Sequence, residues 1–121
     1  MVKAELKDKI IWITILGDLK YENFLDAVEP IFKSGEEYIG FISDGRELKG
    51  FSPLDQNLCS NHHKTHNPEK PNAILMKDNP TLLLIAKIYI KFTKAKNSSI
   101  FTSEKEAIDW VKNYKHIDSI I

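Results

Sequence analysis

The sequence feature that most constrains the fold is the apolar run DNPTLLLIAKIYIKFTKAK, residues 78–96, because it is framed as a helix. Asn79 suits the N-cap position, and Pro80 suits the first helical position, where its missing N–H is not needed. No further Gly or Pro occurs in the run. The sequence therefore predicts one helix over residues 80–94.

This helix is apolar around about two-thirds of its circumference when successive residues are placed about 100° apart. A helix that lies on a sheet needs an apolar arc little wider than about 100°. We therefore expect residues 82–92 to contact something beyond their own sheet. A narrow strip formed by Lys87, Lys91 and Lys94 interrupts the arc, with Leu84 at its border. The broad apolar side consists of Leu82, Ile85, Ala86, Tyr89, Ile90 and Phe92, extended by Leu83 and Ile88.

Several occupants fit such a helix. A second copy of the chain is favoured, because two-fold dimers are the commonest assembly and a self-complementary helix face makes one. The alternatives are another protein, a small lipid-like ligand, a membrane surface beneath the lysine strip, or cover by neighbouring helices of the same chain. The predicted contact residues are Leu83, Leu84, Lys87, Ile88 and Lys91.

The rest of the chain alternates between strand and helix patterns, and residues 1–121 form a single domain by length. The order ββαβαβαβα predicts an α/β fold with a mixed, mostly parallel five-stranded sheet, an antiparallel first strand and about four helices. Strands are expected near residues 2–6, 10–16, 38–44, 72–76 and 99–101. Further helices are expected over residues 21–34, from Ser52-Pro53 to His66, and after Ser103.

Two local predictions concern chain breaks. Gly17-Asp18 should end the second strand, and residues 45–51 should form a loop after the third. Pro30 lies inside the first helix, where it removes one backbone bond and collides with the carbonyl of Asp26. We therefore expect a kink or break near Glu29.

The totals exclude several function classes. Lys plus Arg and Asp plus Glu number 17 each, so no overall charge attracts nucleic acid. A single cysteine and a polar N-terminus without a secretion signal indicate the cytoplasm. No catalytic motif and no Gly-rich phosphate loop occurs, so neither an enzyme activity nor a cofactor is predicted.

One group of residues has a spacing that could suit a metal. Cys59, His62, His63 and His66 follow an i, i+3, i+4, i+7 pattern, so on a helix they share one side. Thiolate and imidazole are good zinc ligands, but one helix rarely supplies a closed tetrahedral site. A polar helix flank beside Leu54 and Leu58 is the favoured interpretation. A small metal protein or enzyme built on this side is the alternative function.

Two smaller sets of polar residues also have both a structural and a functional interpretation. Ser52 is explained as a helix cap, with Asp55 three residues later. Asp44 and Arg46 lie at the edge where open α/β sheets hold ligands, but two residues do not define a site, and an ion pair in the loop is the favoured interpretation.

Three stretches together resemble the SpoIIAA-like branch of the STAS domain family (STAS/SEC14-type small proteins). They are LKDKIIWITILGDL, the strand ending at Asp44 with the helix start at Ser52, and the C-terminal part from NAILMKDNP to SIFTSEKEAIDWVKNY. The resemblance implies a binding or regulatory role and a tendency to dimerise. Sigma-factor antagonists of that family are phosphorylated at a serine in a D-S-[ST]-G-x-G turn. The corresponding loop here reads GFSPL, residues 50–54, so Ser52 is the nearest match and a candidate regulatory residue.

Overall fold

The computed structural model describes residues 1–66, 69–93 and 97–114, and of Phe51, Tyr89, Phe92 and Thr93 only the backbone. A five-stranded sheet has the order β1-β2-β3-β4-β5, in which β1 is antiparallel to β2 and the other neighbours are parallel. This confirms the predicted fold class. In chain order the elements are β1 Val2–Lys7, β2 Ile10–Leu19, α1 Tyr21–Ser34, β3 Gly40–Phe51, α2 Pro53–His66, β4 Asn72–Leu75, α3 Pro80–Thr93, β5 Ser98–Phe101 and α4 Glu104–Lys112.

The hairpin between β1 and β2 is closed by Asp8 and Lys9 alone. Both residues have positive φ, 50° and 64°. Two consecutive residues with positive φ twist the chain in the sense that an antiparallel pair requires. The hairpin pairs Lys7 with Ile10 and makes β1 an edge strand, as the sequence predicts.

Both β2 and β3 extend beyond their predicted ends. β2 continues to Leu19, and the segment predicted as a loop over residues 45–51 is the second half of β3. The two strands remain paired through two register shifts, near Thr14 and at Gly17. Gly17 has φ +79°, a value that only glycine adopts easily. It was predicted to end β2, but in the structure it lies at a register shift inside the strand. Gly50 lies so close to the Asp18 carboxylate that an added Cβ would be 2.9 Å from Oδ1.

The two faces of the sheet are covered by different helices. α4 packs on one face, where the buried residues are Ile10, Ile42, Ala73, Leu75, Ala107 and Val111. α1 packs on the other face, where the buried residues are Ile11, Ile13, Val28 and Phe41. α2 lies beside α1 on this face, because the His62 ring meets Phe24 of α1 at 5.5 Å and the His63 ring meets Phe41 of β3 at 5.0 Å. A right-handed crossover from β4 to β5 places α3 on this same face.

α1 is a single helix from Tyr21 to Ser34 with Pro30 inside it. The break expected near Glu29 therefore does not occur, since the flanking turns and the packing of Val28 maintain the helix across the missing bond. A bend at this point stays a prediction. The helix ends at Gly35, whose φ of +74° confirms the predicted glycine stop.

Candidate functional site

The start of α3 is fixed by a side-chain cap. The Asn79 side-chain oxygen accepts hydrogen bonds from the backbone N–H groups of Thr81 and Leu82 at 3.0 and 3.2 Å. Pro80 occupies the first helical position. The cap predicted from the sequence is therefore present. Lys94, predicted as the last helical residue, lies outside the described residues.

The outward face of α3 carries three exposed aliphatic side chains: Leu84 is 58% exposed, Ile85 40% and Ile88 54%. We call these three residues the apolar stripe. The opposite side of the helix is anchored by Ala86, which is 6% exposed, and α3 packs on β5. The exposure shows that the described part of the chain leaves much of the stripe open to solvent, so cover by neighbouring helices is incomplete there.

The structure brings most of the predicted contact residues together. Lys87 and Lys91 are exposed and lie one turn apart beside Leu84 and Ile88. Leu83 is half-buried toward the body of the protein. Ile85 belongs to the stripe but was not among the predicted contact residues, because the apolar arc is so wide that the sequence gives no sign of which part meets the sheet.

Two histidines on the Cys59–His66 side of α2 pack against aromatic side chains. The His62 ring stacks on Phe32 at 5.9 Å and meets Phe24 edge-on at 5.5 Å. The His63 ring packs on Phe41, and its Nε2 lies 3.1 Å from the carbonyl of Lys70. Burial is the main cause that lowers the pKa of both imidazoles. His62 and His63 are therefore half-buried and take part in packing α2 against α1 and β3, whereas His66 is exposed.

The four predicted metal ligands do not converge on one point. The His66 ring stacks on His62 at 4.2 Å, and its Nδ1 lies 3.0 Å from the backbone carbonyl of His62. Burial, with a smaller contribution from Asp55, raises the pKa of the Cys59 thiol to about 12. A thiol protonated at neutral pH is neither a ready nucleophile nor a ready metal ligand. Across residues 1–66, 69–93 and 97–114, no three His, Cys, Asp or Glu side chains are grouped closely enough to hold a metal ion.

Ser52 joins the starts of two helices. Its Oγ accepts a hydrogen bond from the Asp55 backbone N–H at 3.1 Å and donates one to Asp55 Oδ2 at 2.6 Å. Asp55 Oδ1 in turn accepts from the Tyr21 N–H, at the first residue of α1, at 2.9 Å. The hydrogen bonds from Ser52 and Tyr21 lower the pKa of Asp55. The capping role predicted for Ser52 is present, and its regulatory role stays a prediction.

The Asp44–Arg46 ion pair belongs to a larger network that the sequence did not reveal. Asp44 is 6% exposed and accepts from Arg46 Nε at 3.0 Å, Arg46 Nη2 at 2.8 Å and Trp12 Nε1 at 3.3 Å. Arg46 Nη2 also reaches Glu104 at 2.6 Å. Burial on its own would raise the pKa of Asp44, but Arg46 and Trp12 together lower it. The network connects β2, β3 and α4, and every group named here has a partner within it.

Comparisons with known proteins confirm the fold. A protein with a SpoIIAA-like fold from Shewanella loihica PV-4, of the DUF3478 family, superposes with a TM-score of 0.66 at 19% identity, with 92% of each chain covered. The chain has a SpoIIAA-like fold. The anti-sigma factor antagonist SpoIIAA, in its unphosphorylated form, gives a TM-score of 0.61 at 16% identity and covers 94% of this chain and 100% of its own. No protein-family model and no curated protein matches the sequence.

No helix in the described part of the chain is both long and apolar enough to cross a membrane. The longest described helices, α3 among them, have 14 residues. A membrane-spanning helix needs about 20.

Proposed function

We propose that this chain is a non-catalytic binding module with a regulatory role, acting in the cytoplasm through protein–protein contact at the outward face of α3. The exposure of Leu84, Ile85 and Ile88 on adjacent turns of one helix carries the proposal. Contiguous apolar side chains on the surface of a folded domain mark interaction sites, because their contact with water is unfavourable.

The shape of the surface favours a protein over a small ligand. Small-molecule sites are concave and enclose most of their ligand. The apolar stripe projects from a helix that rests on β5, so it is convex. One of the proteins with this fold is an anti-sigma factor antagonist, which supports protein contact as the mode of action.

The direct test is the double variant Leu84→Glu with Ile88→Glu. Because both side chains are exposed, the variant is expected to fold with nearly the wild-type stability in urea. Analytical ultracentrifugation at high protein concentration then tests a second copy as the partner. A wild-type dimer that becomes a monomer in the variant supports the proposal.

Leu54→Glu is the matched control, since Leu54 is 68% exposed on α2 and lies outside the stripe. It should leave self-association unchanged. A double variant that fails to fold would contradict the proposal, because those positions would then belong to the core. A wild-type protein that stays monomeric and forms no contact with any other protein at this surface would also contradict it.

Regulation through Ser52 is a separate part of the proposal. The side chain is exposed at the start of α2, where the helix dipole favours a negative charge. A phosphate would also repel the Asp55 carboxylate, so modification would disturb the junction between α1 and α2. Mass spectrometry of protein from its native cells, grown under several conditions, would support this role with a phosphopeptide containing Ser52. A Ser52 that stays unmodified in all of them would contradict it.

A further inference from the structure

The surface of α3 carries charge of one sign only. Lys87 and Lys91 are exposed beside the stripe, and the sequence of α3, PTLLLIAKIYIKFT, contains no Asp or Glu. In a two-fold antiparallel pair, equivalent flanks of the two helices lie on the same side. A second copy packed antiparallel on this face would therefore bring both pairs of lysines together with no carboxylate from α3 between them.

We propose that the partner of α3 is a different protein, which presents an acidic amphipathic helix. Its apolar residues pack on Leu84, Ile85 and Ile88, and carboxylates along one flank meet Lys87 and Lys91. This inference rests on the proposed function and names the chemistry of the partner at the same surface.

The geometry of α3 suits a helix as the partner. Leu84 and Ile88 are four residues apart and form a short ridge along the helix. Such ridges pack into the grooves of a second helix at an axial distance of about 8–10 Å. At that distance, acidic side chains beside the apolar seam of the partner reach the lysine amino groups. The charges then determine which helices are accepted, as flanking charges do in paired helices.

Two synthetic peptides test this preference. Each has about 18 residues with leucines at helical spacing, and the other positions are glutamate in one peptide and lysine in the other. Binding is followed by amide shifts in NMR spectra of the isotope-labelled protein. The glutamate peptide is expected to shift the amides of α3 and to bind about tenfold more tightly than the lysine peptide. Added salt should reduce this preference.

Charge reversal sharpens the test. Lys87→Glu with Lys91→Glu should invert the preference, so that the lysine peptide becomes the better ligand. Lys105→Glu with Lys112→Glu is the matched control, because both lysines are exposed on α4 at the other face of the sheet. It changes the net charge equally and should keep the preference for glutamate. Leu84→Glu should weaken the binding of both peptides.

Four results of the peptide experiments would overturn the inference. They are equal binding of the two peptides, binding of neither, shifts that map away from α3, or an unchanged preference after charge reversal at Lys87 and Lys91. A wild-type dimer formed through α3 would also overturn it while supporting the proposed function, because the partner would be a second copy. Attachment of α3 to phosphatidylserine vesicles without peptide binding would overturn both the inference and the protein-contact proposal.

Discussion

α3 and α4 both pack beside β5, but they use their apolar residues differently. α4 buries Ala107 and Val111 against the sheet and turns a charged side to solvent. α3 buries Ala86 and leaves Leu84, Ile85 and Ile88 exposed. The sheet covers the apolar residues Ala107 and Val111 of α4, whereas α3 has more apolar residues than β5 can cover. The excess on α3 is therefore assigned to binding and the apolar face of α4 to folding.

Truncating one buried and one exposed isoleucine should give the largest difference. Ile42 is 0% exposed beneath α4, so Ile42→Ala should reduce the free energy of unfolding by about 2–5 kcal/mol. Ile88→Ala is the matched change on α3 and should alter it by less than about 0.5 kcal/mol. Urea unfolding of both variants measures the difference. Similar losses in the two variants would contradict the division between the helices.

The Asp44 network provides the next largest effect, on the side of the sheet that α4 covers. Asp44→Asn keeps the size of the side chain but removes the charge that Arg46 and Trp12 face. We expect the free energy of unfolding to decrease by about 1–3 kcal/mol. The decrease is limited because Arg46 is partly exposed and keeps its ion pair with Glu104. Because the folded protein lowers the pKa of Asp44, the wild-type contribution is present above the pKa of the unfolded chain. It is lost as the pH falls through the folded value. Equal acid sensitivity of wild type and variant would contradict this assignment.

The helix caps Ser52 and Ser103 should have smaller effects on stability, and these effects should differ from each other. Ser52→Ala removes the cap of α2 and the hydrogen bond to Asp55, which should reduce the free energy of unfolding by about 1 kcal/mol. Ser103→Ala removes a longer contact of 3.4 Å to the Glu106 N–H and should have a smaller effect, about 0.5 kcal/mol. Thermal unfolding of the two variants ranks the caps. A larger loss at Ser103 would reverse the expected order.

Mild acid should weaken the docking of α2, and this is the smallest of the expected effects. Burial lowers the pKa of His62 and His63 in the folded protein, so the unfolded chain binds more protons below its value of 6.5. Stability is therefore full above that pH and decreases as the pH falls toward the folded values. The nearby Glu29 raises the pKa of His62 and so opposes the effect of burial, whereas His66 lowers the pKa further. Urea unfolding at about pH 7.5 and about pH 5 measures the decrease.

His63→Gln is the variant that sharpens this measurement, because it removes the more buried imidazole. The difference in stability between the two pH values should become smaller in the variant. A difference as large as that of the wild type would show that His63 does not contribute to it.

The sequence predicts best those features that depend on neighbouring residues. The Asn79 and Ser103 caps, the hairpin at Asp8 and the order of elements all follow from local patterns, and the structure confirms them. The extension of β2 past Gly17 was missed, because a glycine with positive φ serves equally in a turn or in an irregular strand.

Features that depend on distant residues could not be predicted. Trp12 and Asp44 are 32 positions apart, and only the parallel pairing of β2 with β3 brings them together. The surroundings of His62 and His63 depend on α1 and β3, because Phe32 of α1 packs on the first imidazole and Phe41 of β3 on the second. For α3, the sequence predicts an excess of apolar surface but not that Ile85 would be part of the exposed stripe.

Photo-crosslinking in the native cells tests the assignment of α3 most directly. A photoreactive amino acid replaces Ile88 on the stripe in one protein and the exposed Lys105 of α4 in another. Discrete protein adducts that form at Ile88, are absent at Lys105 and disappear when Leu84→Glu is added are the expected result. Equal adducts at both positions, or none at Ile88, would contradict a partner-binding role for α3.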